Sequence, residues 1–226
     1  MKRFSSLRIA VALVATASLA VLYPATAGTN GFVVPFFRGE SGAQYAGWEK
    51  FTVAGDNGVG NSPELPNSTA SAKLLQHDAG AFITSTGNIY NMGGKSSFDV
   101  NVSSLNPVGL VVFQARSFGT ELDYGSVKLF VGETVFAPTR TELDRLGVGE
   151  PGQPGSGFFV SSKWEWDVSA ANATGFRIGF GAAEPSLSFD SATLDFRGAT
   201  VVPEPGTLVL TGLGLVGLMV AARRRS

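Results

Sequence analysis

Trp164, Trp166 and Val168 alternate with Lys163, Glu165 and Asp167. A period of two sends one set to each face of an extended strand, so the tryptophans and the valine belong to a buried face and the charges to a solvated one. The same alternation recurs at Phe98, Val100 and Val102, at Phe176, Ile178 and Phe180, and, with Phe130 intruding, at Val127, Leu129 and Val131. Such segments are half-buried β-strands. The unbroken run GLVVFQAR (109–116) suits a central strand covered on both faces. In LSFDSATLDF (187–196) the apolar phase changes between Phe189 and Ala192, which predicts a bulge near Ser191. Glycine- and proline-rich stretches at 54–68, 91–97 and 147–157 read as loops. One helix is expected, because Thr139 and Glu142 have capping-box spacing and Gly147 supplies a stop. Many short strands with turn-rich breaks predict an all-β fold, an antiparallel β-sandwich of jelly-roll type, over residues 28–202. The chain has no cysteine, so disulfides cannot hold this fold and core packing must.

Two segments flank that body. Residues 1–27 place Lys2, Arg3 and Arg8 before an apolar stretch from Ile9 to Leu22, then Pro24 and Ala25-Thr26-Ala27. This is the layout of a signal peptide, expected as an N-terminal signal helix cut after Ala27, with Ala25 and Ala27 at the cleavage site. Residues 203–226 begin Pro203-Glu204-Pro205, continue without a charge from Thr207 to Ala222, and close with Arg223, Arg224 and Arg225. At ~1.5 Å per residue the apolar run spans roughly 24 Å as a helix, short of a ~30 Å hydrocarbon core. Snorkelling arginines cover the deficit, so a C-terminal transmembrane helix over 207–222 is expected. The arginine cluster stays cytoplasmic and puts the body outside. Both prolines keep the preceding peptide extended and accessible to a protease. Gly212, Gly214 and Gly217 match G-x-G-x-x-G, but Pro-Glu-Pro precedes them where a strand is needed, so they are small residues of a membrane helix.

This three-part tail resembles the PEP-CTERM sorting signal of Gram-negative bacteria. The resemblance implies an exosortase, a transpeptidase-like membrane enzyme, that removes the tail from an exported substrate, typically in species producing exopolysaccharide or biofilm. The body resembles a β-sandwich type attached to this signal, through residues 80–91, 113–129 and 164–180. Those motifs are structural and imply no activity. Signal peptidase and exosortase are the expected partners in export. The chain is expected to be anchored transiently in the cytoplasmic membrane and then released to the cell surface or matrix.

Between the flanking segments eleven basic residues face seventeen acidic ones, a net charge of −6. Such a body lacks the footprint for nucleic acid. His77 is the single histidine and has neither a cysteine nor a G-x-S-x-G serine to serve, so it reads as structural. Glu165 and Asp167 lie two apart on one strand face at roughly 7 Å, a spacing that suits sugar chemistry but equally a solvated face. Glu121 and Asp123 read the same way. Trp48, Tyr45 and Tyr124 are candidates for stacking on glycan rings. Glu40 and Asp190 are candidate ligands of a structural calcium, the one cofactor considered. No catalytic residue is expected. The chain reads as a non-catalytic surface or biofilm-matrix protein with a structural or adhesive role, the alternative being a carbohydrate-binding module acting on exopolysaccharide.

Overall fold

The computed structural model describes residues 30–199 apart from 56, 57 and 154. The signal segment, the Pro-Glu-Pro tail and the two helices expected in them lie outside the described residues. Within these bounds the chain forms β1 (Gln44–Trp48), β2 (Ser71–Gln76), β3 (Phe82–Ile83), β4 (Ile89–Tyr90), β5 (Ser97–Gly119), β6 (Lys128–Val131), β7 (Thr134–Phe136), β8 (Thr139–Val148), β9 (Gly157–Asp167), β10 (Ala173–Gly181) and β11 (Leu187–Gly198). A 3-10 turn at Ser169–Ala171 is the one helical element among the described residues, and no helix there is long and apolar enough to cross a membrane.

All strands join one antiparallel sheet, and β5 is what curls it. Its first part, 97–103, lies between β2 and β10; its second, from Val108 on, lies between β9 and β11. Pro107 sits at the changeover and has no N–H to give a ladder, so pairing breaks there and the strand bends. The first arm runs β2–β5–β10–β6–β7. The second runs β8–β9–β5–β11, with β1 and the β3–β4 hairpin on the far side of β11.

The arms close on an aromatic core. Phe180 of the first arm lies 5.2 Å from Phe113 and 5.5 Å from Phe189 of the second, and Phe176 meets Phe196 edge-on at 5.5 Å. The alternating sets at 98/100/102, 164/166/168 and 176/178/180 are all buried, so hydrophobic periodicity decides which face of each strand turns inward. Burying each such phenylalanine is worth about 1.5–3 kcal/mol relative to leaving it exposed. The register shift between Phe189 and Ser191 is the bulge that the change of phase predicts.

The run 109–116 is covered on both faces, but not by a second sheet. Val111, Phe113 and Ala115 face the core, while Val112 and Gln114 lie under residues 30–43, which strap the outside of the second arm. Gln114 clasps Val33 from both sides: its Oε1 accepts the Val33 N–H at 2.8 Å and its Nε2 donates to the Val33 carbonyl at 2.9 Å. Arg38 donates to both oxygens of Asp195 at 2.5 and 2.6 Å. Phe32 and Phe37 bury their rings alongside.

The helix expected between the Thr139 capping box and Gly147 is instead strand β8, paired along β9. A capping box marks where a helix would begin, yet two turns without an apolar stripe are too short to hold, while β9 offers an open edge. The register shift between Glu142 and Asp144 makes Leu143 an extra residue. That bulge brings Glu142 and Arg145, three apart, to one face, where they pair at 3.0 Å.

Candidate functional site

Phe176, Ile178 and Phe180 point into the core, so beyond Thr174 the outward positions of β10 are Gly175, Arg177, Gly179 and Gly181. Arg177 Nη1 donates to Asp99 Oδ1 at 2.6 Å, and the guanidinium lies 3.9 Å above the Phe130 ring. The other oxygen of Asp99 is 3.0 Å from His77 Nε2. His77, Asp99, Arg177 and Phe130 thus run across the outer face of the first arm, from the end of β2 through β5 and β10 to β6. Asp99 is shared by an imidazole and a guanidinium, an arrangement that fixes charge rather than activating a nucleophile. One register row over, Lys73 pairs with Asn101 and Asn101 with Arg177. Ser62 and Pro63 wall a groove of about 530 Å³ against Ser71, Lys73, Asn101 and Ser103. The sequence reading missed Asp99 and Arg177. The phase of the Phe176–Phe180 alternation already placed Gly, Arg and Gly outward, and that was the available signal.

The three aromatic candidates for glycan stacking separate. Trp48 is fully buried and its Nε1 donates to the Asn61 carbonyl at 3.1 Å, so it is core and unavailable to a ligand. Tyr45 borders a cleft of about 370 Å³ with Gln44, Asn67 and Thr69, but Arg38 lies 4.0 Å over its ring. Burial pushes the Tyr45 phenol upward, against the opposing pull of Arg38. Tyr124 packs against Trp164 at 6.3 Å, and Arg140 stands 3.5 Å over its ring. Its hydroxyl donates to Glu121, which also takes Arg145 Nη1 at 2.6 Å. Burial first, and Glu121 second, push the Tyr124 phenol up to about 12. The Arg145 bond holds Glu121 below the usual carboxylate range. Both tyrosine rings are therefore engaged by arginines.

The paired carboxylates also part. Glu165 binds Lys163 at 2.9 Å, while Asp167 accepts the N–H and hydroxyl of Ser169 and is held low by them. Glu121 is drawn to Arg145, and Asp123 accepts the Gly125 N–H at 3.0 Å in the next turn. Glu40 and Asp190 are not neighbours. Glu40 pairs with Arg197 near the end of β11, whereas Asp190 sits near its start beside Arg116 and Asn88. Seven residues of strand, roughly 23 Å, separate those places, too far for one ion. Among the described residues no three His, Asp or Glu side chains gather as a metal site.

Residues 201–225 match the model of the PEP-CTERM protein-sorting motif. The chain carries an exosortase sorting signal. This PEP-CTERM motif marks an exported protein directed to the cell surface, with exosortase as its processing partner. Pro203, Glu204, Pro205 and Arg223 to Arg225 fall within the match and outside the described residues; Ala25 and Ala27 also lie outside the described residues. No curated protein and no solved structure matches the chain.

Proposed function

We propose that the β domain, read as a jelly-roll-like sandwich, is a non-catalytic structural or adhesive component of the outer surface or biofilm matrix. In this reading signal peptidase cuts after Ala27, the apolar run 207–222 anchors the chain until exosortase acts, and the domain is then released. The sorting motif at 201–225 carries the proposal. The engagement of every carboxylate candidate by an arginine, a lysine or a local turn supports the non-catalytic part. Intact mass and C-terminal peptide mapping of the chain from its native host test it, beside a variant with Pro203-Glu204-Pro205 changed to alanines. The expected result is a form running from Gly28 to near Glu204, with the variant keeping its tail. Wild type that retains Arg223 to Arg225 in the membrane fraction would remove the matrix role.

A second reading, a carbohydrate-binding module, is favoured by one observation. The outer face of the first arm offers a groove bordered by Ser71, Lys73, Asn101 and Ser103, and Asn101 pairs in register with a pre-set arginine.

A further inference from the structure

On β10 every outward position from Gly175 to Gly181 but Arg177 is glycine, and none of Gly175, Gly179 and Gly181 has a positive φ. The backbone conformation therefore does not call for glycine. Glycine weakens a strand, and inside one it often marks a place where something approaches closely. At Gly179 a Cβ would come within 3.1 Å of Arg177 Nη1 and 3.3 Å of both Asp99 Oδ1 and the Phe130 ring. Its absence lets Arg177 lie flat between them.

The consequence is a shallow trough in which Arg177, lying between Asp99 and the Phe130 ring, is the one side chain that β10 supplies. Arg177 is 42% exposed and gives one N–H to Asp99; its other N–H groups have no acceptor among the described residues. Stacking on Phe130 and the Asp99 bond pre-order the guanidinium, so a carboxylate binding it need not immobilise a free arginine. Lys73 lies to one side, and Lys128 pairs in register with Gly179 on the other. Three cations against Asp99 reverse the sign of a body whose net charge is −6. Ser71, Asn101 and Ser103 add hydroxyl and amide groups along the groove.

We infer that this trough binds an acidic polysaccharide, with a sugar carboxylate on Arg177 and ring hydroxyls on Ser71, Asn101 and Ser103. An acidic peptide fits less well. β10 is already paired with β5 and β6, which leaves no ladder for a peptide backbone to extend, whereas sugar hydroxyls match side-chain donors and acceptors. The inference rests on the carbohydrate reading above and assigns its face and ligand class.

The test uses the full chain in mild detergent and isothermal titration calorimetry. The probes are polygalacturonate oligosaccharides, neutral dextran and poly-glutamate. Saturable binding of polygalacturonate alone is expected, weakening with salt. Arg177→Gln should weaken it about tenfold or more, the loss of one charge-assisted contact. Lys73→Gln with Lys128→Gln should do likewise, and this pair of exposed changes keeps the test valid if Arg177→Gln unfolds. Polygalacturonate binding that survives both sets overturns the face, and binding of dextran alone overturns the acidic class, each sparing the carbohydrate reading. Equal binding of poly-glutamate makes the trough a general anion surface and overturns the glycan assignment. No binding to either glycan removes this inference and the carbohydrate reading together.

Discussion

Arg38→Ala should destabilise the domain by about 3–5 kcal/mol, because it strands the carboxylate of Asp195. That side chain is fully buried between the strap and the second arm, and both of its oxygens take Arg38 donors. Removing the arginine leaves a buried charge with the desolvation cost unrelieved. For a domain of this size the loss corresponds to a fall in Tm of roughly 6–20 °C. Burial already raises the Asp195 carboxyl above its usual range, and Arg38 pulls it back. Without Arg38 it rises further. A carboxyl whose folded pKa is raised binds its proton more readily folded than unfolded, so stability falls as pH climbs through the interval between the two values. The Arg38→Ala deficit should therefore be largest near neutral pH and shrink on acidification, as Asp195 is neutralised. Urea unfolding followed by tryptophan fluorescence at several pH values reads this directly. The double change Arg38→Met with Asp195→Leu removes both charges and should recover most of the loss. A single-variant cost under about 1 kcal/mol, or one that does not vary with pH, would refute the argument that the pair pins the strap through a desolvated charge.

Gln114→Leu should cost about 2–4 kcal/mol in the same assay, since it unpairs both the N–H and the carbonyl of Val33 beneath the strap. Asn61→Ala should cost a similar amount; Asn61 Oδ1 accepts the Thr52 and Val53 N–H groups and its Nδ2 donates to the Val53 carbonyl, and hydrogen exchange at those two amides should rise. Ultraviolet titration of tyrosinate should find Tyr124 ionising near 12, a signal lost in Tyr124→Phe. Because that folded value is raised, its stabilising effect is complete below about 10, the unfolded value, and disappears as pH rises through about 12. Glu142→Ala should change stability by less than about 1 kcal/mol, the worth of an exposed ion pair and not of a helix cap.

Which residues point inward was legible because burial follows period two. Phe98, Trp164, Phe176 and Phe180 lie where the alternation puts them, and even the bulge after Phe189 announces itself as a phase change. What stayed hidden depends on pairs distant in sequence. Nothing near Asp195 names Arg38 as its partner, 157 residues away, and nothing near His77 names Asp99. The capping-box spacing at Thr139 misled because local signals compete with an open strand edge that only the fold creates. The same non-local logic divides the candidate residues. Carboxylates that look paired along a strand, Glu165 with Asp167, are drawn apart by Lys163 and Ser169, while Lys73, Asn101 and Arg177 become one row through the β2–β5–β10 register. The two outer faces complete the contrast. On the second arm, buried polar groups at Gln114 and Asp195 are satisfied by the chain's own strap, so that face is closed by its own residues. On the first arm Lys73, Asn101 and Arg177 stand outward and a glycine strand keeps the surface low. A ligand seated there would need to displace water but none of the described contacts that hold the fold. The folding load and the recognition load thus fall on the outer faces of different arms, so Lys73→Gln and Lys128→Gln can test recognition without disturbing stability.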